Sequence, residues 1–373
     1  ERAQNFPNNR SELYGKALRI LLEEWAAEKR IGQNEIYQGL DTGLEQILLS
    51  EISYYNFAED KLFFPKEEII QQIESFPARN IHAPEKLNGD AVLNAIALQQ
   101  GLLVERATNI YSFSHLTLQE YLTAQYIKEH NLIEYLVNNH LTDTRWKEVF
   151  LLVSGLMQGG ADTLLSLMEQ KARDYLKTSV GKDKLIPLLS WSEDIATGMT
   201  GNSKSIAKRA LSNAYTYAIA NAYVSAYAIT NVNIISNDYA ITNIISNTYP
   251  NIEKLRRVLD DLINSAREFD NLPKVFKDVN AQDFITKLET LKNEVPYNNQ
   301  SIAKKKEFAR RIIDTWLSTF HLSPNLLQLS EEEISEINNK YYYSNWLIIE
   351  CKEAAVQVSP KAWDEIENRM LRA

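Results

Sequence analysis

The chain reads as mainly α-helical, with one small β-hairpin among its first helices and a long helical remainder. Three observations predict this. Apolar residues recur at three- and four-residue steps through most of the 373 residues, as on helices buried along one face. Strand-like runs are confined to two short stretches, Leu102 to Glu105 and Ile110 to Phe113. Helix-start chemistry recurs along the chain: Thr117 and Glu120, and Ser330 and Glu333, stand at capping-box spacing, and Pro65 and Pro360 open apolar stripes.

The first element is a helix over residues about 10 to 30, with Leu13, Ala17, Leu21 and Trp25 at four-residue steps and Ser11 as its cap. Helices near 43–56, 66–76 and 89–100 follow, and Lys66-Glu67-Glu68 after Pro65 puts acidic residues in a positive first turn. The two strands then turn about Ala107-Thr108-Asn109. Three helices and a hairpin make a winged helix. The next segment, Phe113-Ser114-His115-Leu116-Thr117-Leu118-Gln119-Glu120-Tyr121-Leu122-Thr123-Ala124, joins a strand to a strong helix start. Leu118, Tyr121, Leu122 and Tyr126 form its buried stripe. His115 falls in the loop beside that helix N-terminus, where unpaired N–H groups favour an anion such as a phosphate. A purely structural hydrogen-bonding role is the alternative for a lone histidine there.

From residue 117 to about 300 the pattern is helical. Trp146, Val149, Phe150, Val153 and Leu156 share a face, and Leu164, Leu165, Leu167 and Met168 continue it. A short solenoid of helix pairs and a plain bundle both fit. Between Ala210 and Ile252 the only charge is Asp238, and Tyr-Ala-Ile-(Ala/Thr)-Asn occurs from Tyr217, Tyr227 and Tyr239. Helices are expected there from the flanks, although the Ile, Thr, Val and Tyr content also suits strands. The last unit places Leu347, Cys351, Ala354, Ala355 and Val358 on an inner face. Ser359-Pro360 then caps a helix with Trp363, Ile366 and Met370 inward.

A net charge of −9 and a pI near 5.3 leave no basic excess for a nucleic-acid footprint. The run Lys304-Lys305-Lys306, with Arg310-Arg311, is broken by Glu307 and reads as a solvated helix face. The single cysteine, Cys351, forms no intrachain disulfide, reads as a core thiol and suits a cytoplasmic location. Val149 to Met157 is far too short to span a bilayer. The histidines at 82, 115, 130, 140 and 321 show no zinc spacing, and His130 and His140 read as surface groups. Gly198-Met199-Thr200-Gly201-Asn202-Ser203-Lys204-Ser205 lacks the P-loop spacing and a preceding strand, so it reads as a loop. No catalytic constellation is found.

Several strings together carry a family resemblance: Gly101 to Arg106, Tyr111-Ser112-Phe113-Ser114-His115, Gln119-Glu120-Tyr121 with Ala124, and upstream Arg10 to Tyr14 and Leu21 to Trp25. They resemble the winged-helix end of NACHT-type NTPases, the NLR-like (STAND) signalling ATPases abundant in bacteria. The resemblance runs over roughly the first 130 residues. A weaker one, on Tyr343, Asn345-Trp346-Leu347, Glu350-Cys351 and Trp363 to Glu367, is to a C-terminal helical module of some bacterial NACHT proteins. The resemblance implies a regulatory fragment without the catalytic engine. Residues 1–30 would end a helical domain after a missing nucleotide-binding core, 31–130 form the winged helix, 131–300 a helical domain and 301–373 a C-terminal helical module. It also implies that His115 contacts the phosphate of ADP in a parent that binds ADP or ATP with Mg. The helix-rich part would sense a trigger or protein partner, and the winged helix would close on the nucleotide-binding domain. Oligomerisation would follow activation. A stand-alone helical interaction scaffold with a winged helix is the rival reading.

Overall fold

A computed structural model describes residues 10–24, 40–80, 82–180, 280–297, 299–319 and 336–370. It also describes scattered positions between 182 and 267, and residues 333 and 372. Trp25, the Gly198–Ser205 loop, the Tyr- and Asn-rich segment 210–252, His321 and most of Ser330–Glu333 lie outside the described residues. By packing, the chain divides into two compact units, residues 1–171 with 346–363, and residues 172–345 with 364–373.

In the first unit, α1 (Arg10–Arg19) runs into a wider turn over Ile20–Glu24. α2 (Thr42–Ala58) starts where the Asp41 carboxylate accepts the Leu44 N–H at 2.8 Å. Acceptance of an otherwise orphaned helix-start N–H is what an N-cap supplies. β1 (Phe64–Pro65) leads directly into α3 (Lys66–Ser75), whose first turn carries Glu67 and Glu68. Asn88 caps α4 (Gly89–Ala95), accepting the Ala91 N–H at 3.1 Å. β2 (Leu103–Ala107) and β3 (Ile110–Phe113) form the wing, turning at Asn109, which takes a left-handed φ of 60° that Asn tolerates.

The sheet has three antiparallel strands in the order β1-β3-β2, one more than the hairpin expected from sequence. Phe64 pairs with Tyr111, and its buried ring meets Phe113 edge-on at 5.9 Å. A two-residue strand that itself contains a proline is too short a run for periodicity to reveal.

Four helices follow the sheet: α5 (Leu116–Glu129), α6 (Ile133–His140), α7 (Lys147–Leu156) and α8 (Asp162–Thr178). α5 is buried on every face from Leu118 to Ile127, and α7 from Val149 to Gly155. A helix buried all round is a core element. α2 and α7 both pack on α5, and α1 packs on both α5 and α7.

Three local expectations need correction. α1 does not bury Leu13, which is 43% exposed; it buries Ser11 and Leu18, with Leu22 buried in the wider turn that follows, and packs on α7 and α5. Ser11 is not a cap: its hydroxyl donates to the Leu152 carbonyl at 3.1 Å, inside the helix packing. His140 is not a surface group either. Its ring stacks on buried Trp146 at 3.9 Å, and Phe57 meets the same indole edge-on at 4.9 Å. Burial lowers the His140 pKa from its ordinary value.

In the second unit, α9 (Ala281–Asn293) and α10 (Ile302–Thr319) pair through buried Phe284, Leu288, Phe308 and Ile312. Arg311 reaches Glu294 at 2.5 Å. Glu336 accepts from the Val180 N–H at 3.1 Å and from Lys340 at 2.6 Å. The described helices end with α11 (Tyr343–Ala354), most of which falls in the first unit, and α12 (Pro360–Arg369), with the Ser359 hydroxyl accepting the Ala362 N–H at 3.3 Å as the sequence predicts.

The corrected face of α1 is testable. Leu18→Ala removes a fully buried side chain and should cost ~2–5 kcal/mol, whereas Leu13→Ala should stay within ~0.5 kcal/mol. Urea unfolding of the two variants against the parent chain checks this, and equal effects would contradict the assigned face.

Candidate functional site

The polar groups singled out in the sequence meet where β3 hands over to α5. The Ser114 N–H donates to the Leu102 carbonyl at 2.9 Å, which keeps the chain extended past the end of β3. His115 is also extended (φ −134°, ψ 136°) and is the residue at the helix boundary. No side chain caps this end. The expected Thr117–Glu120 capping box is not made, because the helix starts one residue before Thr117 and Glu120 turns into the interior. An uncapped start leaves first-turn N–H groups and the positive end of the helix dipole facing outward.

His115 and Leu116 are both exposed at this terminus. Beside them stands a residue that the sequence did not single out as functional. The Arg106 guanidinium donates from Nη2 to the Ser114 carbonyl at 3.1 Å and from Nε to the Ser112 hydroxyl at 2.9 Å. The register shift between Glu105 and Ala107 places Arg106 at the irregular point of β2. An imidazole, a guanidinium and an uncapped helix start therefore share one edge. Donors of this kind suit an anion with several oxygens.

The Gln-Glu-Tyr part of the motif does different work. Gln119 is 1% exposed, and its amide donates to the Lys61 carbonyl at 3.2 Å. That bond ties the segment carrying Leu62 and Phe63, 45% and 59% exposed, to the first turn and a half of α5. Glu120 is buried, and its carboxyl is pushed up to about 7, first by desolvation and then by the charge of Glu148. Glu148 itself pairs with Arg10 at 2.9 Å. The Tyr121 ring meets Tyr14 of α1 edge-on at 6.3 Å. So Gln119, Glu120 and Tyr121 brace the surrounding elements, and of the motif's polar groups only His115 is presented to the outside.

The other singled-out groups stand apart. His82 and His130 are exposed, and the His130 ring lies on Tyr126 at 3.8 Å. Cys351 is fully buried, and burial raises its thiol pKa far above the ordinary range, as expected of an unreactive core thiol. Among the described residues no group of three His, Cys, Asp or Glu is arranged to hold a metal ion. No described helix is long and apolar enough to cross a membrane.

Arg106 carries no distinguishing signal in one sequence, since an arginine in a strand is ordinarily a solvated edge residue. The bulge that aims it depends on the partner strand.

Replacing Glu120 with Gln removes a carboxyl that the fold prefers to keep protonated. Its folded pKa of about 7 lies above the ordinary value, so its contribution to stability is full below an unfolded pKa of ~4.3 and lost as pH rises through about 7. Glu120→Gln should therefore raise the thermal midpoint at pH 8 and lose that advantage near pH 4. A gain independent of pH would contradict the buried-acid assignment.

Residues 76–127 match the model of a winged helix-turn-helix domain C-terminal to NACHT. Residues 284–373 match that of NACHT C-terminal helical domain 2. No curated protein and no solved structure matches the chain.

Proposed function

Two of this chain's domains belong to the region C-terminal to NACHT, and we propose that it is the regulatory part of a NACHT-type signalling NTPase. In this reading the chain does no chemistry itself. It sets whether a nucleotide-binding core, in a parent that binds ADP or ATP with Mg, stays closed.

The observation that carries the proposal is the exposure of His115 at an uncapped helix start, with Arg106 hydrogen-bonded to the residue before it. In the closed state His115 contacts the phosphate of ADP, and the exposed Leu62, Phe63 and Leu116 lie against the core around it. A contact made only in the closed state biases the equilibrium by its own differential free energy. The helical region responds to a trigger or protein partner, the lid opens, nucleotide exchanges and oligomerisation follows. A cytoplasmic setting and a role in defence signalling fit that scheme.

The test is made in the parent protein that includes its nucleotide-binding core. His115→Leu should speed ADP release by roughly 5–150-fold, the span of a coupling of ~1–3 kcal/mol. Arg106→Gln should act in the same direction with a smaller effect. ADP release is measured by stopped-flow with a fluorescent analogue. Unchanged release in both variants would remove the phosphate role and favour a helical interaction scaffold.

A further inference from the structure

α7 is buried all round although α5 and α1 cover only two of its sides. The remaining side is covered by residues that follow it in sequence by almost two hundred positions. Within the first unit, the Ser154 hydroxyl donates to the Cys351 carbonyl at 2.6 Å. The Ala161 N–H donates to the Gln357 carbonyl at 3.0 Å, and Asp162 Oδ1 accepts the Ser359 N–H at 2.9 Å. Lys147 lies over the Trp346 ring, 4.4 Å from its centre. Leu347, Ile348 and Cys351 are fully buried. Residues 346–359 therefore run along α7, tied at Lys147 and Ser154 and, beyond its end, at Ala161 and Asp162.

The same segment and α1 both close in on Gly155 of α7. A Cβ on Gly155 would come within 2.2 Å of the Ser11 hydroxyl oxygen and 3.2 Å of the Ala354 carbonyl oxygen. Only a glycine lets α1 and α11 approach α7 together at this point. The Ser11 hydroxyl is bonded to Leu152 of α7. Arg10 is held charged first by its hydrogen bond and charge pairing with Glu148 and, more weakly, by Glu350 of the returning segment. Gly160, at φ 110°, makes the turn that presents Ala161 and Asp162 to residues 357–359. That conformation is open to glycine and strained for other residues.

We propose that residues 346–359 form a strap docked on α7, and that its docking holds α1 against the winged-helix unit. The strap is releasable by construction of its contacts. Of its side chains only Leu347, Ile348 and Cys351 are fully buried; its other ties are single hydrogen bonds and one cation–π contact, while Trp346 and Val356 remain 41% and 55% exposed. Segments with few buried side chains and exposed flanks open at lower cost than the core. A force or ligand acting on the C-terminal helices would thus loosen α1 without unfolding α2 or α5. This inference stands on contacts within the chain and does not require the nucleotide reading.

Hydrogen exchange on the full chain tests it. Ser154→Ala with Asp162→Ala removes two pins without adding bulk, and Asp162→Ala alone serves as the milder variant. The double variant should exchange at least tenfold faster over 346–359 and, in parallel, over residues 10–19, with 42–58 unchanged. Faster exchange of the strap with α1 still protected would overturn the proposal, as would protection unchanged at both places. Loosening that extends to 42–58 would also overturn it, because the strap would then be part of a single cooperative core.

Discussion

The first unit is organised by the burial of α5 on every face, which drives most polar groups on that helix to partners inside the protein, with Gln125 Oε1 left unpaired. A buried donor or acceptor left unmade costs ~1–3 kcal/mol, more than a made one returns. The Ser53 hydroxyl bonds to the Gln119 carbonyl and to the Thr123 hydroxyl, joining α2 to α5 through small side chains that allow close approach. Gln119 spends its amide on the Lys61 carbonyl and so fixes the loop that leaves α2. With these inward positions committed, α5 faces outward only at its two ends, at Leu116 and at Lys128 and Glu129. The exposure of His115 follows from the packing of its neighbours.

Charge is handled differently inside and outside. Glu45 and Glu120 are buried without a cation, and both have carboxyl pKa values raised to about 7 by desolvation. For Glu45 a hydrogen bond from the Gln100 amide, 2.7 Å long, opposes that shift without overcoming it. On the surface, Arg145 bridges Asp60 at 2.5 Å and Asp143 at 2.6 Å, linking the end of α2 to the turn before α7. Exposed pairs of this kind are worth ~0–1 kcal/mol each, so they set register more than they set stability. The stability of the unit rests on its apolar interior and on the satisfied polar groups within it.

Much of this was legible from sequence where the signal is local. Short strand-like runs about a turn marked β2 and β3, Pro65 marked the start of α3, and the stripe from Leu118 to Tyr126 marked α5. The matched families agree with the resemblance read from the motif strings, and the mainly α class holds. The misses share one cause. Leu13 and Leu18 lie on helical stripes of similar apolar weight, and tertiary contact with α7 decides between them. His140 looked like a surface group until Trp146 came to lie beneath it. At the site, His115 was readable from its place before a helix, but Arg106 needed the bulge and the Ser114 carbonyl to become part of it. The return of residues 346–359 to α7 leaves no mark on local periodicity.

That return also carries a cost in time. The hydrogen bond between Ser154 and Cys351 spans 197 positions. At synthesis rates of about 5–20 residues per second, α7 would wait roughly 10–40 s on the ribosome with one apolar side uncovered. A nascent chain in that interval is exposed to self-association and to chaperone capture. Helices made some two hundred residues later therefore act as the completion step for a unit begun well before them. A ribosome stall before residue 346 would leave a nearly finished winged helix with its neighbouring helix still sticky.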